Sequence, residues 1–428
     1  MDDKLIATAF QKRAVLAALF HKDGIQDESS LEELKLLTKT AGAKIISHII
    51  QRKDKPSATF LFGKGKIEEI RAEILTNKAN LLITDNDLTP AQLRNIEQEL
   101  KVQVMDRTEL ILDIFATHVR SNEAKLQVEL AKMKYLMPRI VGRRTFLDQI
   151  RMGGASGAVA GHGPGEKQIE YDRRLVRRKT FELQNKIEEI QNRRKRLVEE
   201  RASKNYTICL VGYTNAGKST LLNCLTKANT YVDDKLFATL DTKTSTWKLS
   251  NGLKLLLSDT VGFIKNLPHN LVSSFYATLE EVRQANLLIH VADSSDPFCD
   301  NQIKTVNDVL AEIGCTDIET ILVLNKIDKL KDEMKLNSLK LKYPTAQFIS
   351  CLTSDGIENM ENAVLGIVKK RMSEMKLCIP AGEGKLIADI SEYGIILDQK
   401  VQQDNLIINA LIPVRLTYKY KIFQISDT

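Results

Sequence analysis

The chain is predicted to fold as a multidomain α/β protein, and three patterns predict it. Strand-length apolar runs alternate with helical patterns over residues 1–115 and again over 205–373, which argues for mainly parallel sheets. Residues 116–204 change to a helical period amid dense charge, predicting a helical hairpin with a glycine-rich loop. A glycine-rich turn at 212–219 follows a strand and opens a helix, the layout of a doubly wound P-loop domain. Residues 380–428 read as a small α+β domain. At roughly 150 residues per domain, the 428-residue length allows about three domains of ordinary size.

The elements are justified in chain order. Ala14–Phe20 is an apolar run of strand type. Ser30-Leu31-Glu32-Glu33 fits a capping box that opens a helix with Leu34 and Leu37 on one face. Ile45–Ile50 and Leu81–Thr84 are further strands, and Thr89-Pro90 starts a helix with proline at its first position. Gly63-Lys64-Gly65-Lys66 is compatible with a second phosphate site or with a tight turn carrying solvated lysines. Leu126, Leu130, Met133 and Met137 recur at helical spacing, as do Leu183, Ile187, Ile190 and Leu197. The stretch from Gly153 to Gly165 carries too much glycine for a regular helix or strand. Asn251-Gly252 between two strand-like runs predicts a tight hairpin. Tyr393–Leu397 and Asn405–Ile408 are the expected strands of the last domain.

Composition narrows the function classes. The chain is 43% hydrophobic and 27% charged, as expected of a globular protein. A net charge of +7 permits a polyanionic partner without requiring one. The six cysteines are scattered with no C-x-x-C pair, which argues against a zinc site or disulfide framework and for free thiols in a reducing compartment. The N-terminus lacks the basic and apolar regions of a signal peptide, and no apolar run approaches the ~20 residues of a membrane span. A cytoplasmic protein is expected.

Gly212-Tyr213-Thr214-Asn215-Ala216-Gly217-Lys218-Ser219 matches G-x-x-x-x-G-K-[ST], and Thr220 continues into the helix. Such a loop turns backbone N–H groups onto phosphate oxygens. Lys218 would reach the β- and γ-phosphates, and the Ser219 hydroxyl would ligate Mg2+. Asn325-Lys326-Ile327-Asp328 after the strand Ile321–Leu324 names the base. The Asp328 carboxylate can accept from guanine N1–H and the 2-amino group, donors that adenine lacks, a discrimination of roughly 10⁴-fold. Lys326 would lie over the ring, and Ser350-Cys351-Leu352 would offer backbone N–H groups to guanine O6. Asp259-Thr260-Val261-Gly262 ends a strand; Asp259 would hold Mg2+ through water and the Gly262 N–H would meet the γ-phosphate. Phe237-Ala238-Thr239-Leu240-Asp241 falls where a mobile loop is expected, with Thr239 the candidate for the second Mg2+ hydroxyl. Lys218, Thr239 and Gly262 are the candidate catalytic residues. Phe263 stands where many regulatory GTPases keep a glutamine, and it cannot orient water. Asn215 offers a hard oxygen beside the phosphates, suited to K+, or serves only to bond the loop backbone.

Beyond these motifs the chain resembles the HflX family, bacterial GTPases that bind the large ribosomal subunit. The resemblance runs through Phe62–Ile70, Asp85–Asn95, Asp106–Phe115, Gly163–Glu170 and Asp172–Arg174. It implies ribosome splitting or rescue under stress, GTP or GDP as ligand, a glycine loop that reaches ribosomal RNA through Gly163 and Gly165, and a monomer off the ribosome. Two departures stand out: Ala158, Ala160 and His162 replace the family's usual glycines and arginine, and Thr242 replaces a proline. Around the glycine loop, Arg143, Arg144, Arg151, Arg173, Arg174, Arg177 and Arg178 are candidate RNA contacts, since arginine meets phosphate and stacks on unpaired bases. A solvated charged helix is the plain alternative. No DNA partner is expected. Two other functions compete: a signalling switch with protein effectors only, and an RNA-remodelling enzyme using ATP in the N-terminal domain.

Overall fold

The computed structural model describes residues 12–22, 27–119, 121–139, 165–227, 237, 242–265, 276–330, 332–402 and 405–425. The chain divides into two compact units. The first contains residues 1–194, 234–241 and 264–277; the second contains 195–233, 242–263 and 278–428.

The first unit holds a four-stranded parallel sheet built from β1 (Arg13–Phe20), β2 (Lys44–Arg52), β3 (Leu81–Thr84) and β4 (Gln103–Asp106), in the order β2-β1-β3-β4. Ala14 to Leu19 of β1 are all buried, as a central strand covered on both faces requires. Helices α1 (Asp27–Thr40), α2 (Lys64–Thr76), α3 (Pro90–Leu100) and α4 (Arg107–His118) connect and follow the strands. Thr89 caps α3 reciprocally: its hydroxyl accepts from the Gln92 N–H at 3.2 Å, and Gln92 Oε1 accepts from the Thr89 N–H at 3.0 Å. Lys64 and Lys66 stand in the first turn of α2, with Lys66 paired to Glu69.

Ser30 does not cap a helix. The helix α1 begins at Asp27, so Ser30 lies inside it, and its hydroxyl donates to Asp85 at 2.5 Å instead. Glu33 is likewise diverted. It pairs with Arg107, which also donates to Asp85 at 2.7 Å, and all three side chains are buried. The polar pattern read as a capping box is one wall of a buried ion cluster. The second Nη of Arg107 also donates to the Lys265 carbonyl at 3.2 Å.

Two further helices, α5 (Asn122–Leu136) and α6 (Gly165–Lys204), form the predicted helical pair. Leu130 and Met133 of α5 pack with Val176, Leu183 and Ile187 of α6, spaced by seven and four so that they share one helical face. The predicted glycine loop lies outside the described residues up to Gly165, where α6 starts.

In the second unit a six-stranded sheet has the order β10-β9-β8-β5-β7-β6. Its strands are β5 (Thr207–Gly212), β6 (Lys243–Lys248), β7 (Lys254–Asp259), β8 (Leu287–Asp293), β9 (Thr320–Asn325) and β10 (Gln347–Phe348). Only β6 runs antiparallel, joined to β7 by the predicted turn, with Gly252 at φ +88°. Helices α7 (Lys218–Thr226), α8 (Tyr276–Arg283), α9 (Cys299–Glu312), α10 (Glu333–Lys342) and α11 (Ile357–Lys370) complete this doubly wound layer. On one side of β5 the strands β8, β9 and β10 follow outward in sequence, while on the other the chain reaches the edge strand β6 first and returns through β7, so the order switches beside β5, where such folds bind ligands. A three-stranded antiparallel sheet follows: β11 (Met372–Pro380), β12 (Ile395–Gln402) and β13 (Asn405–Pro413), order β11-β13-β12, with α12 (Gly384–Tyr393). β11 begins directly after α11 and crosses the stretch between the predicted domains. Met375, Leu377 and Ile379 point inward while Glu374 and Lys376 point out, a period of two. Among the described residues, no helix is long and apolar enough to cross a membrane.

Removing the cation from the ion cluster strands two buried carboxylates. Arg107→Met should lower stability by about 3–5 kcal/mol, read as a shift in the urea midpoint by circular dichroism. A loss under about 1 kcal/mol would mean that the cluster contributes little.

Candidate functional site

The site sits at the C-terminal ends of β5, β7, β8 and β9. Each strand delivers one part of it. β5 ends in the glycine-rich loop, β7 in Asp259, β8 in Asp293 and β9 in Asn325. Asn325, 2% exposed, ties the parts together. Its Nδ2 donates to the Ala216 carbonyl at 3.0 Å, and its Oδ1 accepts from the Cys351 N–H at 3.2 Å. Lys326 lies along the loop, donating to the Asn215 carbonyl at 2.7 Å and pairing with Asp293 at 2.7 Å. The Ser350 hydroxyl donates to Asp328 at 2.6 Å and accepts from the Thr353 N–H at 3.1 Å, which fixes the carboxylate that would read the base. Gly217 has φ +98°, and a Cβ there would come within 2.2 Å of Asn325 Nδ2, so glycine is required for conformation and for space.

Lys218 is 6% exposed and donates to the carbonyls of Gly212 at 3.1 Å and Tyr213 at 2.8 Å. Burial pulls its pKa down to about 8; Lys326 lowers it further and Asp259 opposes the shift. Ser219 Oγ donates to Asp259 at 2.5 Å. A hydroxyl and a carboxylate so close suit Mg2+, which takes hard oxygens and completes its shell with water and phosphate. No group of three or more His, Cys, Asp or Glu side chains among the described residues could hold a metal unaided.

The structure thus brings together Gly212 to Thr220, Asp259 to Gly262, Asn325 to Asp328, and Ser350 to Leu352 around one end of the sheet. Asn215 is exposed, at φ +59°. Leu352 is 82% exposed. Phe237 is the one described residue of the expected mobile loop. It is buried in the first unit, edge-on to Phe115 with ring centroids 4.4 Å apart. Ala238, Thr239, Leu240 and Asp241 lie outside the described residues, as do Arg143, Arg144, Arg151 and Gly163. Gly165 and Arg173 fall within α6, and Arg174, Arg177 and Arg178 are exposed on it.

Three family models match in sequence. They are described as GTP-binding GTPase N-terminal over residues 28–116, GTP-binding GTPase Middle Region over 118–201, and 50S ribosome-binding GTPase over 207–326. The GTPase HflX of Lacrimispora saccharolytica is 40% identical over 97% of this chain and 97% of its own. That of Escherichia coli is 37% identical over 92% and 91%. The chain belongs to the HflX family of GTPases. A solved GTP-binding protein from Sulfolobus solfataricus, in complex with GDP, is 26% identical over 83% of this chain and 98% of its own, with a TM-score of 0.43.

Some residues that shape this HflX-family site carry no motif. Asp293 was missed, although an acidic residue ending a buried strand was its signal. His290 on β8 gave none. It is 3% exposed, and burial, with the Lys218 charge next, pulls its pKa down to about 4 while a hydrogen bond to Asn307 opposes this. It is therefore neutral at pH 7 and adds no second charge beneath the loop.

Two outcomes follow from this geometry. Gly217→Ala should weaken GTP binding about a hundredfold, since a left-handed alanine is strained and displaces Asn325; calorimetric titration reads it. Lys218 titrates near 8 in the fold against 10.5 ordinarily. A base with a lowered folded pKa makes folding more favourable as pH rises from about 8 to 10.5. Nucleotide binding needs the ammonium and must take up that proton, so affinity should fall by up to about tenfold per unit above pH 8. Flat affinity from pH 7 to 9.5 would contradict it.

Proposed function

We propose that this chain is a GTP-gated factor of the cytoplasm whose affinity for the large ribosomal subunit is set by the nucleotide it holds. The observation that carries the nucleotide half is the Asn325 amide, which joins the phosphate loop to the loop of Ser350 and Cys351. Asp328, held by Ser350, accepts from guanine, while the Cys351 N–H is engaged by Asn325 Oδ1 and so is not the donor to O6. Lys218 and the loop N–H groups bind and orient the phosphates. Ser219 and Asp259, with Thr239, would hold Mg2+, which neutralises charge across the β- and γ-phosphates. Phe263 supplies no hydrogen bond to water, so hydrolysis is slow until another group assists.

That group is K+ held by the Asn215 side chain, on this reading, with further stimulation from the ribosome. The exposed arginines of α6 and the glycine loop before it contact ribosomal RNA. The name of the matched family, 50S ribosome-binding GTPase, supports the choice of partner.

Sedimentation with large subunits tests the whole reading. Co-migration should be strong with a non-hydrolysable GTP analogue, weak with GDP, and lost as salt rises, because counterions are released on RNA binding. Equal co-migration with both nucleotides would overturn gating. No co-migration at all would favour a switch acting only on protein effectors. Asp328→Asn should shift preference from GTP to xanthosine triphosphate; turnover of ATP that survives it would favour the remodelling alternative.

The left-handed backbone at Asn215 offers its own explanation for an asparagine there, since this residue tolerates that conformation. Asn215→Gly keeps the backbone and deletes the oxygen. Wild-type hydrolysis should be faster in K+ than in Na+ at equal ionic strength, and the glycine variant should lose the difference while still binding GTP. A difference that persists in the variant removes the potassium role.

A further inference from the structure

Lys326 holds a backbone conformation that side chains disfavour. Its φ is +65°, in the left-handed region, where a Cβ is crowded. Such a conformation persists only where its surroundings fix it. The turn after β8 does so from both ends of the residue. Ser294, fully buried, donates its N–H at 2.9 Å and its hydroxyl at 2.7 Å to the Asn325 carbonyl. That carbonyl belongs to the peptide that leads into Lys326, so the backbone is held where φ is set. At the other end, Asp293 Oδ2 pairs with the Lys326 ammonium at 2.7 Å.

Asp293 divides its two oxygens between two jobs. Oδ1 accepts from the Ser295 N–H at 2.9 Å and the Ser295 hydroxyl at 2.6 Å, which shapes the turn. Oδ2 is left for the lysine. The Asp293 and Lys326 side chains are only 16% and 18% exposed, so solvent ions screen this pair less than an open surface pair. The ammonium makes a second bond, to the Asn215 carbonyl at 2.7 Å. Lysine carries much rotamer freedom, and a lysine already fixed at its head and its backbone loses little of it when a ligand arrives.

Resting on the reading of this site as a guanine-nucleotide site, we propose that Asp293 is a positioning residue for nucleotide binding, which holds Lys326 beside the phosphate loop so that its aliphatic stem is a ready platform for the base. Asp293 acts through Lys326 and on binding, since the phosphates are met by Lys218 and the loop. A stem that lies over a ring serves any purine alike. Asp293 therefore sets affinity, and the choice of guanine stays with Asp328.

Asp293→Asn separates the two jobs. Its amide oxygen keeps the bonds from Ser295, and an N–H donor replaces Oδ2 opposite the ammonium. Steady-state GTP hydrolysis by the full chain reads the result. KM should rise about tenfold, within the effect of one charge-assisted hydrogen bond, while kcat holds, the pattern of lost uniform binding. KM for inosine triphosphate should rise by the same factor. In a Lys326→Met background, which has no ammonium to hold, Asp293→Asn should change KM by less than about twofold, as expected of residues that act as one unit. A wild-type KM in Asp293→Asn would show that the carboxylate only shapes the turn. That result, a loss of kcat at constant KM, or a full further tenfold in the Lys326→Met background overturns the positioning role and leaves the site reading intact. Wild-type protein that prefers ATP to GTP overturns the site reading and the role with it.

Discussion

The nucleotide site depends on one side-chain amide. Asn325 donates to the phosphate loop through Ala216 and accepts from the base-side loop through Cys351, from a position that is almost fully buried. Both amide functions are used, so an ionised carboxylate, which only accepts, could make only one of the two bonds, and a hydroxyl would have to make both from a single atom. The constraint spreads outward. Gly217 must be glycine because Asn325 fills the space where a Cβ would go. Lys326, next in sequence, is turned to left-handed φ and lies along the Asn215 carbonyl. Ala216 and Asn325 lie 109 residues apart in the chain, and the one amide ties the glycine-rich loop to the loop of Cys351.

The first unit rests on a comparable economy. Asp106 ends β4, caps α4 by accepting from the Glu109 N–H, accepts from Tyr135, and pairs with Arg139. Arg107, the next residue, pairs with Glu33 and Asp85. Burying charges is unfavourable unless each is met, and here adjacent residues of opposite sign are each met by partners from different elements. Such a cluster fixes which helix lies over which strand more sharply than apolar packing could, because a displaced partner leaves a buried charge uncompensated.

What could be read in the sequence follows from these physical differences. Strands covered on both faces, such as Ala14–Phe20 and Ile208–Val211, show as unbroken apolar runs and were legible. So was the α/β class, and so were the phosphate and base motifs, since their backbone conformations and hydrogen bonds demand particular residues at fixed spacing. Met372–Pro380 was not legible as a strand, because an antiparallel strand with one wet face alternates Met375, Leu377 and Ile379 with charged residues over too short a run. Ser30 and Glu33 were misread because a capping box and one wall of an ion cluster place the same residue types three apart; only the tertiary partner Arg107 tells them apart. His290 and Asp293 gave little warning, since their roles come from neighbours on other strands.

The bridge at Phe263 belongs to the same class of invisible feature, and it explains why the motif tolerates phenylalanine there. A side chain that orients water must be polar, and the residue type is then constrained. A residue whose backbone pairs with Gly212 and Thr214 is constrained in conformation but not in polarity. Its side chain is then governed by packing alone, and a buried position beside the loop favours an apolar ring. Gly262 carries the opposite constraint. It must approach Thr214 and Lys218 more closely than any side chain permits. The adjacent pair Gly262 and Phe263 therefore divides the work, one by having no side chain and the other by keeping its side chain out of the chemistry.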